Sequence, residues 1–195
     1  MIGIIDYGAG NVRSVGNALE RLQTPFFVSR KIAELNEAQK LILPGVGEAQ
    51  SAMRSLERSG LVDWLKTIHV PFLGVCIGMQ ILFDHSDERE TPCLGVVTGR
   101  VQRFDASQVK IPHMGWNRAA VRQANPLFHN ISDGEYFYFV HSFRAPIVAA
   151  TLAVTEYGGD FSAAVRKDNY FGVQFHAEKS GSAGLQVLRN FVELC

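Results

Sequence analysis

Val70-Pro71-Phe72-Leu73-Gly74-Val75-Cys76-Ile77-Gly78-Met79-Gln80-Ile81-Leu82-Phe83 is the stretch that decides the fold. An apolar run, Val70 to Val75, enters it, and a helix-like run, Gln80 to Phe83, leaves it. Cys76 sits at the bend with Gly74 and Gly78 two residues away on either side, the Gly-x-nucleophile-x-Gly arrangement with cysteine as the middle residue. A sharp strand-to-helix turn strains the backbone of that residue, and the flanking glycines keep side chains out of the space the bend needs. Such a turn holds a thiol at the carboxyl end of a sheet, where a helix N-terminus favours the thiolate form. Cysteine is also a common small packing residue in tight turns, so a nucleophile needs partners elsewhere in the chain.

Working outward, Ile2 to Ile5, Phe26 to Val28 and Leu41 to Leu43 are short apolar runs suited to buried parallel strands. Between the first two, Val12, Val15, Leu19 and Leu22 form a helical stripe. Glu34 to Lys40 is polar, Ala49 to Leu56 and Leu61 to Ile68 have helical patterning, and Pro44-Gly45-Val46-Gly47 is a second strand-to-loop change. Alternating strands and helices imply a mostly parallel central sheet flanked by helices, with sites gathered at the carboxyl ends of the strands. Pro44–Gly47 and Cys76 should therefore share a rim. The Gly8-Ala9-Gly10 loop lacks the third glycine of a dinucleotide fingerprint, since Arg13 stands there.

Past Phe83 the pattern changes. Asp84 to Pro92 is charged and loop-like, Leu94 to Phe104 alternates as an antiparallel ribbon would, and Pro112 to Asn117 looks like a loop centred on Trp116. Tyr136–Val140, Leu152–Thr155, Ala163–Arg166 and Phe171–Phe175 are strand candidates in quick succession, and a helix is expected from about Ser182 to Leu194. The fold class is α/β with an antiparallel, β-rich second half. A chain of 195 residues without an evident linker or repeat suits one domain, 1–195.

Composition narrows the function. The 19 basic and 19 acidic residues cancel, so no bulk attraction to nucleic acid or anionic membrane is expected. Three cysteines, at 76, 93 and 195, contain no Cys-x-x-Cys pair, which argues against a disulfide framework or a zinc site and for a reducing compartment. Met1 to Asp6 has neither the basic region nor the apolar length of a signal peptide, and no run approaches transmembrane length, so a cytoplasmic protein without a metal or other cofactor is expected.

A cysteine nucleophile needs a base and a group to orient it. Among six histidines, His176 follows an apolar run and has Glu178 two residues on, on the same side of extended chain. That carboxylate can fix the imidazole tautomer and leave the other ring nitrogen to the thiol. His141 also ends a strand but lacks such an acid and reads as structural or pocket-shaping. His113, beside Gly115-Trp116, reads as a loop contact, and His69, His85 and His129 have solvated contexts and no partner. Acyl transfer also needs donors for a developing oxyanion. The Ile77 amide is one, and the Val46 amide of the glycine-rich loop is assigned as the second.

Taken together, Asp6–Asn11, Pro44–Gly47, Gly74–Gln80, Pro112–Asn117, Tyr136–Ser142 and Gln174–Gly181 occur in an order that resembles the class I (triad) glutamine amidotransferases over nearly the whole chain. More narrowly, the Pro-His-Met-Gly-Trp-Asn and Tyr-Phe-Val-His-Ser blocks resemble the glutaminase subunits of imidazole glycerol phosphate synthase. The resemblance implies a flavodoxin-like fold and a Cys76–His176–Glu178 triad that hydrolyses glutamine through a thioester. It further implies Gly47, Gln80, Ser142 and Phe143 around the substrate, and ammonia passed to a cyclase subunit in a heterodimer. There the ammonia would serve to make imidazole glycerol phosphate and an aminoimidazole carboxamide ribotide in histidine biosynthesis. Asn11, Trp116, Tyr138 and Lys179 would lie near that partner. Two positions depart from the pattern: Ala177 replaces the proline common between histidine and glutamate, which loosens that link, and Phe143 replaces a frequent tyrosine but keeps its backbone contacts. The glutaminase of another synthase such as anthranilate synthase, a stand-alone cysteine peptidase or γ-glutamyl hydrolase, and a non-enzymatic module that kept the fold remain alternatives.

Overall fold

The computed structural model describes residues 1–8 and 10–195. The first half alternates as its apolar runs require. Strand β1 (Ile2–Ile5) leads into α1 (Val12–Arg21), followed by β2 (Phe26–Ser29), α2 (Ile32–Leu35) and β3 (Lys40–Leu43). Helices α3 (Ala49–Arg58) and α4 (Leu61–Leu65) precede β4 (Phe72–Val75) and the one-turn helix α5 (Ile77–Gln80). The second half is strand-rich: β5 (Phe83–Ser86), β6 (Thr91–Pro92), β7 (Val97–Arg103), β8 (His113–Val121), β9 (Glu135–His141), β10 (Phe143–Arg144), β11 (Thr151–Glu156), β12 (Asp160–Lys167) and β13 (Tyr170–Val173), closed by α6 (Gly181–Leu194). Ala9, inside the expected Asp6–Asn11 loop, lies outside the described residues.

Nine strands form one sheet in the order β2-β1-β3-β4-β13-β12-β11-β8-β9. The first five run parallel and the last four continue antiparallel. The α/β class with an antiparallel second half is therefore the fold observed. Its central pairing matters most for the site. Strand β4 lies parallel to β13 with Val75 opposite Val173, so both strands end at one level. The Cys76 amide donates to the Val173 carbonyl at 2.8 Å. The chain leaving β4 at Cys76 and the chain leaving β13 toward His176 thus emerge side by side.

Each face of the sheet carries its own core. On one face Ile2, Ile4, Val15, Leu19, Leu73, Val187 and Phe191 pack between the strands and helices α1 and α6. On the other, Leu41, Leu43, Met53, Leu56, Leu65 and Met79 pack beneath α3 and α4. The apolar stripes of the helices and the near-continuous apolar strands explain this two-sided burial.

Four local expectations are corrected. The helix after Cys76 occupies Ile77–Gln80, and Phe83 already opens β5, because Phe83 is buried and its strand pairs parallel with β7. Asp84–Pro92 is therefore not a plain loop: it holds the end of β5, a single 3-10 turn at Glu88–Glu90, and β6. The Val97–Arg103 ribbon belongs to a separate four-stranded sheet, β10-β7-β5-β6, with one parallel pair. Pro112–Asn117 is largely strand β8, paired with β9 from His113↔His141 to Ala119↔Glu135. Its glycine and proline suggested a loop, whereas cross-strand pairing with an aromatic-rich partner decides the conformation.

Candidate active site

The turn at Cys76 is built by close backbone approach. Cys76 has φ +54°, a left-handed value that a non-glycine residue adopts only under constraint. A side chain at Gly74 would place its Cβ 2.2 Å from the Gly78 carbonyl oxygen, and one at Gly78 would lie 2.3 Å from the Leu43 carbonyl oxygen. A Cβ on Gly45 would meet the Gly78 amide nitrogen at 2.6 Å. The spacing of the motif therefore follows from packing, and the Pro44–Gly47 loop rests directly on the nucleophile turn.

Cys76 lines a cavity of about 320 Å³ together with Val46, Gly47, Ile77, Gln80, Glu88, Pro112, Val140, His141, Ser142, Phe143 and His176. The structure thus brings together Cys76, His176, both expected oxyanion residues and all four expected substrate residues. Glu178 stands behind His176, its Oε1 2.8 Å from Nδ1, with both side chains almost wholly buried.

His176 is held from several sides. Its amide donates to the Tyr138 carbonyl of β9 at 2.9 Å, and Ser180 Oγ donates to its carbonyl at 2.7 Å. Phe175 stacks on Phe137 with ring centres 4.0 Å apart, which anchors the backbone just before the imidazole. Ala177 begins a single 3-10 turn to Lys179, and the His176–Glu178 contact is intact without proline. Burial opposes the charged imidazole, but the neighbouring Cys76 and Glu178 side chains outweigh it and raise His176 to about 9.

Gln80 is buried and donates to the Phe143 carbonyl and to Gln174 Oε1, each at 2.9 Å. Gln174 in turn donates to Cys76 Sγ at 3.6 Å. Phe143 accordingly acts through its backbone, and its missing hydroxyl removes none of these contacts. His141 shapes the pocket as expected, but His113 does more than line a loop: its Nδ1 lies 2.9 Å from His141 Nε2. His85 does meet an acid, Glu90, at 3.3 Å on the surface.

Two site residues escaped the sequence reading. Glu88 lines the cavity, its Oε2 accepting the Ala49 amide at 2.6 Å, and burial holds its carboxyl above the usual range. It sits in a charged segment that offers no signal distinguishing it from its neighbours. Gln174 had a signal: it lies two residues before His176, on the same side of extended chain.

The residues expected near a partner fall partly on one surface. Trp116 is 56 % exposed on β8 and packs edge-on against Tyr138 of β9, with centroids 6.1 Å apart. Met114 and Tyr136 are exposed on the same strands, and Lys179 is exposed on the turn after His176. Asn11 precedes α1, which packs against that turn. No helix among the described residues is long and apolar enough to cross a membrane.

Residues 3–195 match the family model described as glutamine amidotransferase class-I. The imidazole glycerol phosphate synthase subunit HisH of Pectobacterium atrosepticum is 47 % identical over 192 residues, covering 98 % of each chain. Subunit HisH 1 of Vibrio vulnificus is 45 % identical over 197 residues, covering 98 % of this chain and 97 % of its own. Among solved structures, a glutamine amidotransferase superposes with a TM-score of 0.76 at 21 % identity, covering 99 % of this chain and 97 % of the other. PurLQS from Thermotoga maritima superposes at 0.73 and 18 % identity, covering 98 % and 96 %. At that identity these superpositions speak to the fold.

Proposed function

We infer the chemistry from the family: the chain belongs to the class-I glutamine amidotransferases and, within them, to the HisH subunits of imidazole glycerol phosphate synthase. Cys76 is the nucleophile of glutamine hydrolysis, His176 its acid and base, and Glu178 the group that orients the imidazole. His176 takes the thiol proton of Cys76, and its raised value favours holding it. Sulfur attacks the side-chain carboxamide carbon. The Ile77 and Val46 amides receive the developing oxyanion. His176 gives its proton to the amide nitrogen, which leaves as ammonia and yields a γ-glutamyl thioester. Water then attacks the thioester, His176 takes a proton from it, the carbon–sulfur bond breaks, and glutamate departs.

Specificity follows from the polar lining. Both amide hydrogens of Gln80 are engaged, and its buried Oε1 has no partner among the described residues, so it is an acceptor for a substrate N–H. Glu88 receives the substrate ammonium, and Gly47, Ser142 and Phe143 supply the surrounding wall. The cavity suits a single amino acid, which disfavours a peptidase. The observation that carries the proposal is the buried His176–Glu178 contact beside a cysteine at a strained turn.

The partner is a cyclase subunit that consumes the ammonia. The exposed Met114, Trp116 and Tyr136, next to Lys179, support docking on the β8–β9 face, where an aromatic anchor contributes most. In the assembled complex, Cys76→Ala should abolish synthesis from glutamine and leave synthesis from ammonium salts intact. Unchanged glutamine-dependent synthesis would sink the nucleophile assignment.

A further inference from the structure

The geometry points to Gln174 as a further catalytic residue, an amide donor to the Cys76 sulfur whose orientation is dictated by a hydrogen-bond chain centred on the Phe143 carbonyl. A carbonyl oxygen only accepts, so every group bonded to it must donate. Two are: Gln80 Nε2 at 2.9 Å and His141 Nδ1 at 2.7 Å. This settles which way each side chain faces on both sides of the hub.

On the side of the sulfur, Gln80 must turn its NH2 toward Phe143. The same nitrogen then faces Gln174, which must answer with its oxygen, at 2.9 Å. Its NH2 is left pointing at Cys76 Sγ, 3.6 Å away. Gln174 is fully buried, so water does not compete for that donor. A buried N–H on a sulfur stabilises the thiolate over the thiol.

On the other side, His141 carries its proton on Nδ1, so its Nε2 must accept. His113 donates to it from Nδ1 at 2.9 Å, and His113 Nε2 must accept from Asn117 Nδ2 at 3.2 Å. Asn117 is itself fixed, donating to the Glu156 carbonyl at 3.0 Å and accepting the Arg118 amide at 2.8 Å. His113 is sandwiched between Tyr157 and Phe139, with ring centres 4.1 and 5.0 Å away. Both histidines are buried and stay neutral, which the chain requires, because a doubly protonated ring could not accept. Gln80 is the positioning residue in this scheme, and His141 shares its carbonyl acceptor. Donors point at the Phe143 carbonyl from both sides, and from Gln80 a second line of donors runs through Gln174 to the sulfur.

The proposal rests on Cys76 as the nucleophile, and its test reads the sulfur directly. The titratable groups facing Cys76 are His176 with Glu178 behind it, Tyr7, and across the cavity Glu88 and His141. Gln174→Met removes the donor and keeps the volume. Iodoacetamide labelling of the Cys76 peptide, followed by mass spectrometry across pH in the full chain, should show its midpoint rising by about one pH unit, about tenfold less thiolate at a given pH. Turnover of glutamine in the complex should fall about tenfold with KM little changed. An unmoved labelling midpoint in folded Gln174→Met protein overturns the proposal. Should Cys76→Ala leave glutamine turnover intact, the glutaminase reading fails while labelling still reports on the hydrogen bond.

Discussion

The parallel half of the sheet and its antiparallel half contribute different chemistry. Strands β3 and β4 end in turns where backbone comes against backbone, as at Gly45, Gly74 and Gly78, and the result is a strained cysteine beside a second loop on the same cavity. Strands β8 and β9 work through alternation. His113, Phe137, Phe139 and His141 face inward, while Met114, Trp116 and Tyr136 face outward. One half places main-chain groups, the other sorts side chains between a pocket and a surface. Strand β13 is the seam: it pairs with β4 on one side and β12 on the other, and it delivers Gln174, His176 and Glu178 to the thiol. The reactive groups meet because the two kinds of construction end on one rim.

Breaking the seam should have the largest effect. His176→Ala in the assembled complex should lower glutamine turnover by about 10³-fold or more, and Glu178→Gln by about 10²-fold, since the carboxylate orients the base without exchanging the proton. Equal or reversed losses in steady-state rates would count against those roles.

The contrast in construction sharpens through glycine. Gly78→Ala pushes a methyl against the Leu43 carbonyl and should cost about 3 kcal/mol in urea unfolding. Gly134→Ala, at φ +71° in the β8–β9 connection with open space around it, should cost only about 1 kcal/mol. Comparable losses at the two sites would show that close approach is not what the parallel half depends on.

A smaller effect separates the halves by pH. Burial lowers His113 to about 4 and His141 to about 3. Unfolded histidines take protons below about pH 6.5, whereas these two do not, so the unfolded state gains below that value. Stability should fall by about 2 kcal/mol per histidine between pH 6.5 and 4.5 in urea melts, and His113→Asn should flatten that slope. His176 runs the other way. Its raised value stabilises the fold below about pH 6.5, and that contribution fades as pH climbs through about 9. A flat acid limb would mean that the buried pair is not neutral.

Legibility in the sequence followed the same division. The strained turn was readable because Gly74, Cys76 and Gly78 leave few alternatives, and His176 with Glu178 because extended chain puts residues two apart on one side. The β8–β9 pairing was not, since Gly115 and Pro112 look like loop residues until a partner strand is known. Glu88 is tied to the start of α3 by the Ala49 amide, 39 residues away in the chain, which is long-range information. The role of the Phe143 carbonyl was hidden for a similar reason. Gln80, His141 and Gln174 are far apart in the chain and meet only in the folded site.

The central claim is that the thiol of the parallel half reacts under the control of the imidazole that β13 brings beside it. Acid-quenching the complex during turnover and weighing the Cys76 peptide tests this directly. The account predicts a γ-glutamyl group on Cys76 in the unmutated protein, and a marked loss of that adduct in His176→Ala. An adduct on another residue, or an undiminished Cys76 adduct without His176, would contradict it.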